Sequence, residues 1–140
     1  MNYGSLALIW LHVSGNIVWI GSILAVGAVL TGKVGDPKTR GETALALYRR
    51  LAVPAFVLSF VFGALRLFMD TKLYFVQTHW MHGKLPFALA VIALHHVIGA
   101  RAKRLALGSV QDAGPAGILS VVLAVAAVVA AAFAIFKLPS

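Results

Sequence analysis

Four stretches of the chain, roughly residues 3–30, 51–69, 80–100 and 115–137, are apolar almost without interruption, and short polar segments separate them. Each approaches the ~20 residues that an α-helix needs to cross ~30 Å of hydrocarbon. Continuous apolar runs argue against a membrane β-barrel, whose strands alternate over ~10 residues. The pattern predicts an all-α fold, an integral membrane four-helix transmembrane bundle, as a single domain over residues 1–140 with nothing left for a soluble part. The first stretch lacks a basic segment before it and exceeds the ~7–15 apolar residues of a secretory signal, so it reads as a retained span.

The polar punctuation sets the boundaries. Between Thr31 and Thr43, Gly32, Gly35, Asp36-Pro37 and Gly41 supply turn chemistry and predict a loop. Glu42 through Arg50 is compatible with helix, so the second helix is expected to begin before the membrane, with Tyr48, Arg49 and Arg50 at the interface. Pro54 then falls one turn inside the bilayer, where a kink is expected. Ser59 and Gly63 are small enough for a close helix contact.

Composition agrees with this reading: 61% of the 140 residues are hydrophobic and 11% charged. Taking the spans in order, Lys33, Lys38, Arg40, Arg49, Arg50, Arg101, Lys103 and Arg104 lie on one side, and Arg66, Lys72, Lys84 and Lys137 toward the other. This asymmetry predicts a multi-pass protein of the inner (plasma) membrane with both termini on the periplasmic side. The net charge of +8 does not point to nucleic acid, because the cations flank spans instead of forming a basic face with aromatic residues between them. Anionic lipid headgroups of the bilayer are the simpler partner. Cysteine is absent, which excludes disulfides, thiolate metal sites and thioether-linked haem.

The candidate chemistry is histidine in apolar surroundings. The first span carries no formal charge from Tyr3 to Leu30 but holds His12, with Asn16 one turn on and Trp19 two turns on. Intramembrane ionisable groups usually face a bundle interior and mark ligand, ion or proton sites. The segment Thr78 to Arg101 holds the other four histidines. His79, Trp80 and His82 suit the outer interfacial belt. His95 and His96 lie about 20 Å further along the helix and are expected to be buried by depth. At ~100° per residue Lys84 and His95 point within about 20° of each other, while His96 diverges by about 100°. A polar seam of His12, Asn16, Trp19, Lys84 and His95 would face the interior. Its explanations are interhelical hydrogen bonding, proton or ion transfer, and a bound cofactor such as haem, for which His12 and His95 are the candidate metal ligands. Arg66 and Asp70, four apart, can form a helical ion pair, or Arg66 can point inward to a ligand carboxylate.

The ordered set Leu11, His12, Trp19, Gly21; then Arg49, Arg50, Leu51, Pro54; then Trp80, Lys84, Leu85, His95 resembles the HemJ family of protoporphyrinogen oxidases. The related CopD-like membrane proteins share its general appearance. The resemblance extends over the whole length to the closing Phe136, Lys137 and Pro139. It implies a haem b-binding bundle that oxidises protoporphyrinogen IX and passes electrons to quinone or the respiratory chain. His12, Lys84 and His95 would occupy the polar core positions, with Lys84 or Arg66 near a propionate.

One departure bears on activity. Before the fourth helix the family carries Asn-Glu-x-Pro, whereas this chain reads Asp112, Ala113, Gly114, Pro115 and lacks the glutamate. The alternative is therefore a non-catalytic haem-binding or structural subunit of a larger membrane complex, or a homo-oligomer. A copper-uptake-like transporter ranks third, since His79 and His82 at i, i+3 offer only two ligands.

Overall fold

A computed structural model describes residues 3–137, and Pro139 of the closing motif lies outside them. The chain forms α1 (Tyr3–Thr31), α2 (Pro37–Leu47), α3 (Val53–Met69), α4 (Trp80–Ala106) and α5 (Ala116–Phe136). A π-helical turn, Tyr48–Ala52, joins α2 and α3 into one 33-residue membrane-spanning length, so four helical rods are long and apolar enough to cross a bilayer. The described chain is thus an all-α, multi-pass bundle in contact with lipid, as its hydropathy predicts.

On α1 the buried positions Gly15, Trp19, Ser22, Ile23, Val26, Gly27 and Leu30 recur at helical spacing and define one inward face. The outward residues Val13, Ile17, Val18 and Leu24 are equally apolar, which suits hydrocarbon rather than water. α1 packs against α3 on one side and α5 on the other, α5 packs against α4, and α2 bridges α1 and α4. α3 makes no comparable contact with α4. The fourth side of the bundle is therefore closed at the α2 end and looser along α3.

Close helix approach depends on missing side chains. A Cβ on Gly41 would overlap the backbone of Leu105 and Ala106, and one on Gly15 would stand 2.9 Å from the Ser59 backbone nitrogen. These contacts set the α2–α4 and α1–α3 distances through packing, the main source of helix association inside lipid.

Two boundaries differ from expectation. α2 starts at Pro37, inside the segment read as loop, because Asp36 caps it: Thr39 donates its N–H to Asp36 Oδ1 at 3.1 Å and its hydroxyl to Oδ2 at 2.6 Å. The turn residues Asp36-Pro37 act as N-cap and first helical position, where proline loses nothing by lacking an N–H. At Pro54 the strain is absorbed just upstream by the π-helical turn, in which Val53 N–H reaches the Tyr48 carbonyl. Proline crowds the carbonyl four residues before it, here that of Arg50, and a widened turn relieves that collision. α4 also runs to Ala106, so Arg101, Lys103 and Arg104 belong to its last turns.

Candidate functional site: two imidazole clusters at different depths

His12 faces inward from α1 and is half-buried between its own helix and α3. Its Nδ1 lies 2.7 Å from the carbonyl oxygen of Ser59. That oxygen only accepts, so Nδ1 carries the proton, and Nε2 accepts from Asn16 Nδ2 at 3.2 Å. The Ser59 hydroxyl donates to Asn16 Oδ1 at 2.8 Å, which closes the ring of bonds with His12 neutral. Gly63 leaves the space the imidazole fills, since a Cβ there would sit 2.6 Å from Nδ1.

His95 is fully buried on α4, two helical turns deeper along α1 than His12 because its partner is Trp19. The indole N–H of Trp19 donates to His95 Nδ1 at 2.9 Å. An indole cannot accept, so Nδ1 is bare and Nε2 bears the proton, which it donates to the Tyr48 hydroxyl at 3.1 Å. The rings of Tyr48 and Phe56 each stack on the imidazole with centroids 4.8 Å away. Tyr48 reaches this position because Gly99 of α4 has no side chain; a Cβ would overlap the phenol ring.

The seam expected from helical periodicity thus exists, but divided in two. His12 and Asn16 join Ser59, while Trp19 and His95 join Tyr48 and Phe56. In this arrangement neither imidazole holds an unoccupied nitrogen lone pair, and the two do not face each other across one plane.

Lys84 stands in the first turns of α4, beyond His12 on the side away from His95. Its ammonium lies 5.8 Å from the Trp80 ring centroid, and its charge acts on His12. Lys137 approaches the same ring at 4.4 Å, and the two ammonium groups repel one another. Among the described residues no carboxylate pairs with either lysine.

Arg66 takes the ion-pair arrangement. It bonds Asp70 one turn on, its guanidinium lies 5.4 Å from the Tyr74 ring centroid, and its Nε is buried without a partner. Tyr74 in turn meets Trp80 edge-on at 5.3 Å. Burial holds the Tyr74 phenol above its ordinary pKa, with Arg66 opposing and Asp70 adding. His79 adopts a left-handed backbone ahead of α4 and stacks on His82 at 5.9 Å. His96 lies on the bundle surface with its ring edge-on to Phe56 and His95, turned outward by the ~100° offset from His95.

Tyr48, Phe56 and Ser59 complete the clusters without having stood out as site residues. Ser59 carried a signal as a small contact position opposite α1; Tyr48, expected at the interface, carried none, because the π-helical turn that re-aims it depends on Pro54 and on the vacancy over Gly99. Among the described residues no three His, Cys, Asp or Glu side chains gather into a metal-binding group. Comparison with protein-family models, curated proteins and solved structures finds no match for this chain.

Proposed function

We propose that this protein is a haem b-binding bundle of the inner membrane, both termini outward, that oxidises protoporphyrinogen-type substrate and passes the electrons to quinone or a respiratory chain. The observation that carries the reading is Lys84, a cation in the membrane-spanning part of α4 that no described carboxylate neutralises. Unpaired charge inside lipid is expensive and marks a ligand site. A tetrapyrrole carboxylate is a fitting counter-ion.

The donor set fits the group in part. His12 has the form of an iron ligand: its Nδ1–H is tied to a backbone carbonyl, which fixes the ring, and its Nε2 is covered only by the Asn16 amide at 3.2 Å. Rotation of Asn16 would release that lone pair. His95 does not fit as a second ligand, because the Trp19 indole occupies Nδ1 and the Nε2 proton is directed at Tyr48. Lys84 is the residue to hold a carboxylate, whereas Arg66 is engaged by Asp70 and Tyr74. When bound, haem b supplies one-electron chemistry. The chain's contribution is to orient His12 through Ser59, to exclude water around His95, and to place one fixed positive charge.

A second reading, a non-catalytic structural subunit of a larger membrane complex, is favoured by one fact: every nitrogen of His12 and His95 already has a partner within the chain. A reduced-minus-oxidised absorption spectrum of the purified protein separates the two. The haem reading expects a b-type spectrum that His12→Ala abolishes and His79→Ala leaves intact, with porphyrinogen-dependent quinone reduction. A protein without tetrapyrrole absorbance after expression with added haem precursor overturns it in favour of the structural reading.

A further inference from the structure

The end of the bundle opposite Lys84 contains a groove of about 280 Å³ between α4 and α5. Val97, Ile98 and Leu119 make its wall apolar, and Arg101 and Arg104 stand at its mouth beside Pro115, where α5 begins. The mouth is built. Asp112 accepts from Arg101 Nη2 at 2.9 Å and from the Gly114 backbone N–H at 2.7 Å, which fixes the guanidinium and the turn together. Gly114 has φ of 53°, a backbone that side chains rarely adopt, and the Arg101 guanidinium lies over it, with a Cβ there 2.8 Å from Nη2.

Charge at this mouth is not balanced. Asp112 serves Arg101 alone, while Arg104 has no ion-pair partner among the described residues. Arg101 Nε is buried without an acceptor, so within the chain the guanidinium is held by Asp112 alone. No side chain caps α5, whose first N–H groups carry the positive end of the helix dipole toward the same place.

The geometry points to a seat for one anionic glycerophospholipid, its phosphate on Arg101, Arg104 and the start of α5, and an acyl chain along Val97 and Leu119. The occupant follows from the layout: a cationic mouth at the basic end of the bundle, continuous with an apolar wall on membrane-spanning helices. A soluble anion would use the mouth and have no use for the wall. The seat is independent of any haem site.

Native mass spectrometry of the full chain, exchanged into mixed phosphatidylglycerol and phosphatidylcholine, tests this. Phosphatidylglycerol should remain bound after phosphatidylcholine has been stripped, and the double substitution Arg101→Gln and Arg104→Gln should weaken retention about tenfold or more. Ala100→Trp, which keeps both charges and fills the groove, should expel the lipid as well. The charge-matched control Lys33→Gln with Lys38→Gln, at the same end but not lining the groove, should retain it. Equal retention of the two lipids, an unaffected arginine double variant, or equal loss in the lysine control overturns the seat. Displacement of phosphatidylglycerol by inorganic phosphate overturns the role of the acyl groove and so the lipid assignment.

Discussion

Trp19 and His95, 76 positions apart, are joined by a 2.9 Å hydrogen bond from indole N–H to imidazole Nδ1 that links α1 to α4 through the interior of the bundle. This one donor fixes the tautomer of His95, and the tautomer fixes which nitrogen addresses Tyr48. Trp19→Phe keeps an aromatic ring beside Phe56 and leaves His95 Nδ1 without its donor. An unsatisfied buried acceptor, softened by alternative partners within a membrane, predicts a loss of about 1–2 kcal/mol in reversible unfolding from mixed micelles. Adding His95→Phe to that variant should recover part of the loss, because removing both partners is less harmful than removing one.

Gly63 decides whether His12 can point inward. Gly63→Ala would bring a Cβ to 2.6 Å from His12 Nδ1 and 2.7 Å from Cε1, so the ring must leave Ser59. The expected cost is about 1–3 kcal/mol, as for other overpacked interiors. Gly21→Ala, where nothing lies within 4 Å, is expected to be neutral or stabilising in the same unfolding measurement. Equal behaviour of the two alanine variants would remove His12 from the α1–α3 interface.

The phenol of Tyr48 and the vacancy over Gly99 form one fitted pair. Gly99→Ala should evict the ring and expose His95 Nε2, whereas Tyr48→Phe should keep the stack and lose only the hydroxyl. The imidazole ¹⁵N shifts of His95 read this directly: the Nε2 signal moves in both variants, and the stacking-dependent ring shifts move only in Gly99→Ala.

Asp36 gives a pH dependence with a defined sign. Hydrogen bonds from the Thr39 hydroxyl first, and its backbone N–H next, hold the Asp36 carboxyl below its ordinary value of 3.8. A folded value below the unfolded one means that the cap contributes fully above that ordinary value and is lost as pH falls through the lower, folded one. The protection of the Thr39 and Arg40 amides, taken relative to the intrinsic exchange rate at each pH, should therefore fall on acidification, and Asp36→Ala should show the lowered protection at neutral pH.

The alternation of apolar runs and polar breaks determined, by itself, that this is a bundle of four membrane-crossing rods, since hydrocarbon admits continuous helices and few other backbones. Helical periodicity likewise placed His12, Asn16 and Trp19 on one face of α1, and Lys84 and His95 on one face of α4. Which of them meet was decided only by the tertiary structure. The depth at which α4 lies against α1 pairs Trp19 with His95 and sends His12 to Ser59. The π-helical turn before Pro54 brings Tyr48 in, and glycines at 63 and 99 admit the rings. Periodicity gives direction around a helix; the relative sliding of two helices depends on side-chain fit along both, which no single stretch of sequence contains.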